Sequence, residues 1–402
     1  MKIALVKKSI LWLFAVVFMV GTAGFNYGFK KTKANEEAAR LENRRIAVFP
    51  KGKGILLKKD FYSDFEKWYR DRMYKRKQIL IRWRRMRFNL GLGVEFDNKL
   101  IVKDIDDWIL EKGTAKDYIG DLDKTQNLLR LKKYCESRNT QFLLMLAPYK
   151  SNACKRYYPQ EYQKDIVDYL QISGKAVESL KKNGIDYVDT CPVIMKAMEN
   201  DSPDHPLYVK DDHHWSCYGA MLASDILLRK LEKKLGVELY DDELTDGSFV
   251  EGFRECSYWR RLGLGDDRAR NRQDVPWHKK FTKNLEIEDC YSGKVTKPDK
   301  PIVNSPLWSC IVNGEGIIHN RNLHNGKTLL MLHDSYGSYM MPYLSQYFET
   351  IVDTHYRDKA GKKKNTNIKY LLERYKPDVV VLFPIHYPQS NAEGIFKNIV
   401  YE

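Results

Sequence analysis

Short apolar segments alternating with amphipathic helices predict an α/β protein, with a mostly parallel sheet flanked by helices and an N-terminal transmembrane helix. Three observations carry this expectation. Residues 141–147, 328–332 and 379–383 are almost wholly apolar runs of strand length, the pattern of strands buried on both faces. Helical periodicity fills the intervals between them. Near the start, residues 9–29 carry no charge, and their 21 residues are enough to cross a bilayer once.

Taken in order, Lys2, Lys7 and Lys8 precede the uncharged run and favour a cytoplasmic N-terminus, which places the remainder outside the cytoplasm. An uncleaved membrane anchor is preferred; a signal peptide cut near Thr22-Ala23-Gly24 is the alternative. Residues 30–90 read as a stalk and an amphipathic helical region. Over 59–88 the apolar side comprises Phe61, Phe65, Trp68, Tyr69, Met73 and Ile79. Residues 91–402 form the main domain. Short strands open it near Gly91 and Gly93, and helices follow over 125–135, 166–180 and 215–235, with a strand at 185–189. The strand at 328–332 precedes a helix over 340–348, a short strand at Ile351-Val352, a helix over 367–375 and the last strand at 379–383. Residues 236–327, rich in Gly, Asp and Arg, read as an insertion or long loops.

Lys and Arg outnumber Asp and Glu by 68 to 53, and the excess recurs in several stretches, including 72–87, 254–272 and 359–364. Such a surface suits an anionic membrane or polymer. No zinc-finger spacing or RNP-like segment supports nucleic acid as the partner. Seven widely spaced cysteines with no CxxC pair argue against a zinc cluster. Export would permit disulfides, but an odd count leaves one thiol unpaired and the pairing unreadable.

The chemistry concentrates in two segments, Lys210-Asp211-Asp212-His213-His214-Trp215 and Leu329-Leu330-Met331-Leu332-His333-Asp334-Ser335-Tyr336-Gly337. Ser335 follows an apolar strand and precedes a helix, at the strand end where α/β sheets bind ligands. Amide groups there can stabilise an oxyanion. On an extended segment, side chains two apart share a side, so Asp212 can orient His214 and leave Nε2 for the serine proton. His213 then faces away, Trp215 shields the pair from water, and Asp334 is a supporting residue, though Asp334-Ser335 also reads as an ordinary helix N-cap. Two plainer readings stay open: a structural Asp-His contact, and a divalent-metal site built from Asp211, Asp212, His213 and His214.

These segments resemble the DHHW proteins and the related SGNH-hydrolase-like domain of the AlgJ and AlgX alginate O-acetylation proteins. The resemblance rests on Tyr208-Val209-Lys210, Asp212-His213-His214-Trp215, Gly219 and Asp334-Ser335-Tyr336. Further pieces are Glu42-Asn43-Arg44, Phe49-Pro50, Phe65 with Asp71-Arg72 and Arg76, and Ala147-Pro148-Tyr149-Lys150, where Tyr149 stands for the Asn often found before the Lys. The resemblance implies a flavodoxin-like SGNH-hydrolase core with an Asp212, His214, Ser335 triad and no cofactor or metal. It also implies acetyl transfer involving an extracytoplasmic polysaccharide, with a multispanning membrane O-acyltransferase as the partner supplying acetyl groups. Lys150, Tyr336 and Gly337 become candidate oxyanion or substrate contacts, with a structural ion pair as the alternative for Lys150. Arg254, Arg260, Arg261, Arg268, Arg270 and Arg272 could hold an anionic glycan, or merely solvate a loop.

The resulting expectation is a membrane-anchored serine O-acetyltransferase acting on a cell-surface or secreted polysaccharide. A polysaccharide O-acetyl esterase with the same triad, or a non-catalytic glycan-binding or assembly component, are the alternatives.

Overall fold

The computed structural model describes residues 33–41, 45–50, 60–96, 99–103, 108–112, 125–164, 166, 168–202, 206–236, 238, 249–253, 258, 262, 272–276, 285–289, 293–297, 315–355, 366–385 and 399–401. The chain divides into two compact units, Met1–Asn98 with Trp259–Asp266, and Lys99–Tyr258 with Asp267–Glu402. Among the described residues no helix is long and apolar enough to cross a membrane. The uncharged run at 9–29 lies outside them, as do Glu42-Asn43-Arg44, the arginines at 254–270 and Cys256, Cys290 and Cys310.

Among the described residues the first unit includes the helices α1 (Lys33–Leu41), α2 (Phe61–Arg70) and α3 (Arg76–Asn89). The sequence-predicted amphipathic region at 59–88 is therefore two helices, broken where Lys75 takes a left-handed conformation, φ 52°. Its expected apolar side is not a core face. No residue of α2 is buried, and Ile79 is exposed. Instead the aromatic side chains of α2 lie against one another and against Phe49, whose ring stands edge-on to Trp68 at 4.8 Å. Between α2 and α3 lies a buried carboxylate. Asp71 is wholly enclosed, accepts the Ala47 amide at 2.7 Å and draws Arg76 to 3.9 Å. Lys77 pairs with Glu37 of α1 at 2.6 Å. The buried residues of α3 are Arg76, Arg84 and Phe88.

In the second unit, β1 (Lys99–Lys103) and β2 (Ile109–Lys112) form an antiparallel pair. The main sheet follows, built from β3 (Gln141–Leu146), β4 (Tyr187–Asp189), β5 (Leu285–Asp289), β6 (Val295–Thr296), β7 (Glu315–Asn320), β8 (Thr328–His333), β9 (Thr350–His355) and β10 (Val379–Phe383). Its order is β4-β3-β10-β8-β9-β7-β5-β6. The first five strands run parallel. The last three extend the sheet antiparallel, so part of the region expected to be irregular, 236–327, supplies a sheet edge.

Strand alternation divides the core between the two faces. Phe142, Leu144, Leu330, Leu332, Val380 and Leu382 pack with α4 (Thr125–Glu136), α5 (Tyr169–Lys182) and α8 (Ile368–Tyr375). On the other face, Leu143, Met145, Leu329, Met331, Val379 and Val381 belong to the cluster that includes Ala220, Ala223, Leu227, Leu228 and Leu231 of α7 (Cys217–Leu235). Between β4 and α7 lies α6 (Cys191–Glu199). The helix α7 starts two residues later than its periodicity predicts. Trp215 is bridged to Tyr208, and Ser216 caps the helix by accepting the Tyr218 and Gly219 amides at 3.1 and 3.3 Å. The expected helix at 340–348 shrinks to one turn, Met341–Leu344, preceded by a 3₁₀ turn, Gly337–Tyr339. Four described cysteines, Cys135, Cys154, Cys191 and Cys217, are buried. Burial pushes the Cys154 thiol up to about 12, which keeps it neutral.

Candidate active site

Ser335 lies just beyond the carboxyl end of β8, a strand held between parallel neighbours β10 and β9. Asp334 pins this turn. Its Oδ1 accepts the Tyr336 amide at 2.9 Å and its Oδ2 the Ile385 amide at 2.8 Å, which ties the serine to the end of β10. The opposing segment returns from the Tyr208–Trp215 bridge. Residues 210–214 form a turn and bends, and His214 is buried.

Across this gap the Ser335 hydroxyl meets His214 Nε2 at 2.6 Å, and His214 Nδ1 meets Asp212 Oδ1 at 2.7 Å. With an ionised carboxylate as acceptor, Nδ1 donates to Asp212, and Nε2 is left to accept the serine proton. Trp215 is fully buried, stacks on Phe383 at 5.5 Å and donates its indole N–H to the Tyr336 carbonyl at 3.0 Å. It therefore joins the histidine segment to the serine turn directly.

His213 does not face away. Because 211–214 is bent and not extended, its Nδ1 also reaches Asp212 Oδ1, at 3.0 Å, and its ring lies 3.8 Å from that of His214. Asp212, His213 and His214 thus offer three ligand atoms within 4.8 Å of one another. Both Nδ1 atoms are directed at one carboxylate oxygen, while His214 Nε2 is engaged by Ser335. A cation on these three groups would have to displace hydrogen bonds that already satisfy them.

The expected oxyanion or substrate contacts acquire a different task. Lys150 is buried, and its ammonium donates to the carbonyls of Ile109 (2.9 Å), Lys210 (2.9 Å) and Asp212 (2.7 Å). Three donors on three carbonyls leave none for substrate, so Lys150 fastens the histidine segment to β2. The Ile109 amide reinforces this by donating to the Lys210 carbonyl at 2.9 Å. Tyr336 donates its hydroxyl to the His213 carbonyl, and burial raises its pKa well above the usual phenol value. Gly337 donates its amide to the Asp334 carbonyl at 3.0 Å. Tyr149 contacts Glu111 through its hydroxyl at 3.4 Å.

His333 is a residue that sequence reasoning set aside. Wholly buried under the serine turn, it pairs through Nε2 with Asp353 of β9 and through Nδ1 with the Asp334 carbonyl. Burial works to lower its pKa, but the Asp353 charge and hydrogen bond, with the Asp334 carbonyl, prevail and raise it. Gly337 packs directly on this ring. A Cβ there would lie 2.4 Å from His333 Cγ, so only glycine fits. No sequence pattern marks such a pair, because Asp353 comes from the next strand.

Residues 105–249 match the family model described as the SGNH hydrolase-like domain of acetyltransferase AlgX. Over that span the chain is similar to an AlgX-type SGNH hydrolase-like domain. The matched span includes Asp212 and His214 and ends before Ser335. A DHHW family protein from Eubacterium siraeum is similar in structure, with TM-score 0.54 and 18% identity over 77% of this chain and 98% of that one. PatB1 of Bacillus cereus is similar at TM-score 0.52 and 17% identity, covering 75% and 100% of the two chains. Its form bearing a sulfonyl adduct gives TM-score 0.53 and 16% identity, covering 74% and 97%. At these identities the likeness establishes a shared fold. Comparison with curated proteins gives no match.

Proposed function

We propose that the chain is a serine-dependent O-acetyltransferase that works outside the cytoplasm on a cell-surface or secreted polysaccharide. The carrying observation is the continuous Asp212–His214–Ser335 hydrogen-bond chain, at 2.7 and 2.6 Å, at the carboxyl end of a parallel sheet. The match to an acetyltransferase domain supports acetyl as the group moved.

His214 Nε2 takes the Ser335 proton as Oγ attacks the carbonyl carbon of an acetyl donor. The donor's C–O bond then breaks, and the leaving oxygen receives that proton from His214. A sugar hydroxyl next gives its proton to His214 and attacks the acetyl-Ser335 carbonyl. Ser335 leaves with the proton, and the sugar carries the acetyl group. Asp212 stabilises the imidazolium formed in each half, and proton transfer of this kind contributes about 10²–10⁴-fold in rate. The Ser335 amide is the oxyanion donor in this reading. The acceptor is a polysaccharide, and acetyl groups arrive from a multispanning membrane acyltransferase.

Mass spectrometry after exposure to a chromogenic acetyl ester tests the acyl-enzyme. A gain of one acetyl group on Ser335, absent in His214→Ala, is the expected result. An unmodified Ser335 with undiminished ester turnover would refute it. Adding an acceptor glycan then separates transfer, in which acetate moves to the glycan, from hydrolysis, in which it does not.

A further inference from the structure

The helix α3 is built inside out. Arg84 and Phe88 are buried on one side, whereas Ile79, Trp83, Met86 and Leu90 are exposed by 54%, 53%, 45% and 65%. Positions 79, 83, 86 and 90 follow the three-to-four spacing of one helical face, so these side chains form a single apolar stripe along α3 and its C-cap. Arg84 and Phe88, on the side away from the stripe, are buried, so rolling the stripe inward would expose them. An exposed apolar row held outward in this way marks an interaction surface.

Charge identifies what covers it. Between residues 61 and 92 ten Lys and Arg stand against three Asp and Glu. Arg82 and Arg85 are exposed on the same helix, and the Arg87 guanidinium lies 5.7 Å from the Trp83 ring centroid. Trp, Met, Leu and Ile on one face with arginines around them is the composition of a helix lying in a bilayer interface, apolar side chains among acyl chains and guanidinium groups among phosphates. A protein partner for so basic a rim would need a matching acidic groove, whereas an anionic leaflet supplies that charge everywhere. The sequence adds one consistent fact: the uncharged run at 9–29 begins the same chain.

We propose that the Ile79-Trp83-Met86-Leu90 face of α3 docks onto the surface of an anionic lipid bilayer. Docking is independent of the acetyl-transfer chemistry. It is distinct from anchoring by 9–29, because it holds the first unit flat on the leaflet.

Full-length Met86→Cys protein, labelled with an environment-sensitive fluorophore and incorporated into vesicles, tests this. Label at Tyr370→Cys, an exposed position of the second unit, is the aqueous control, and unsubstituted protein gives the labelling background. In phosphatidylcholine–phosphatidylglycerol vesicles, the residue-86 label should be quenched by brominated lipid and lose most of its quenching by iodide. It should regain iodide access in phosphatidylcholine alone or at high salt. Ile79→Glu/Trp83→Glu, which alters two exposed positions, should restore iodide access while circular dichroism stays unchanged. Full iodide access in anionic vesicles overturns the proposal. Shielding from iodide without quenching by lipid also overturns it, since a second copy or another protein would then be the occupant.

Discussion

Gly219 offers a direct test of how the histidine segment is positioned. It is the third residue of α7, and a Cβ there would lie 2.2 Å from the Leu207 carbonyl oxygen and 3.0 Å from Trp215 Cβ. The first distance falls at least about 1 Å short of contact between uncharged atoms. The Leu207 oxygen cannot simply swing aside. It accepts the Ser216 amide at 2.9 Å and belongs to the strand-like return that carries Trp215, one residue after His214. Gly219→Ala must therefore shift α7 or the return segment by about that amount. An overpacked site of this type costs about 1–3 kcal/mol in stability. Misplacing His214 by about 1 Å from Ser335 should lower kcat/KM about 10²-fold, or roughly 2.7 kcal/mol in the barrier. Hydrolysis of p-nitrophenyl acetate together with thermal melting reads both effects. Gly174→Ala is the matched control. It lies within α5 with nothing near its would-be Cβ, so it should raise stability by about 0.5–1 kcal/mol and leave turnover alone. Wild-type turnover and melting in Gly219→Ala would refute the reasoning.

Asp212→Asn should leave the fold intact and reduce ester turnover by about 10³–10⁴-fold, because an amide no longer stabilises the His214 imidazolium; steady-state kinetics checks this. Lys150→Met leaves three carbonyls without their shared donor and should destabilise the protein by about 3–5 kcal/mol in urea unfolding, with turnover falling as the histidine segment loosens. For His333 the raised pKa sets the sign. Its contribution to stability is complete below the unfolded value near 6.5 and disappears as pH climbs through the higher folded value. Melting temperature should fall over that alkaline window, and the fall should be smaller in His333→Gln.

How much of this was legible in sequence depended on whether contacts were local. The strand Val379–Phe383 was read to the residue, because a run buried on both faces has one interpretation. In contrast, β5 reads Leu-Glu-Ile-Glu-Asp, with charge on alternate positions, and its place between the antiparallel strands β7 and β6 is set in part by a partner some thirty residues away. The nearness of Asp212, His214 and Ser335 could be anticipated from strand-end chemistry. The shared use of Asp212 by His213 could not, since it needs a bend where an extended segment was expected. Lys150 was singled out for its charge, but its burial under three carbonyls depends on β2, and no pattern in Ala147-Pro148-Tyr149-Lys150 reports that. The aromatic side chains expected on the apolar side of residues 59–88 do lie together in α2, but nothing in their periodicity reports the break at Lys75.

The two halves of the reacting pair rest on foundations of unequal stiffness. Ser335 extends from a strand clamped on both sides, whereas His214 hangs from a bent stretch fastened by the Lys150 ammonium, the Trp215 indole, the Tyr336 hydroxyl and the Ile109 amide. On heating, the imidazole should swing free before the sheet lets go of the alcohol. Ester turnover would then fade several degrees ahead of global melting and return in full on cooling, as expected when a local opening precedes general collapse.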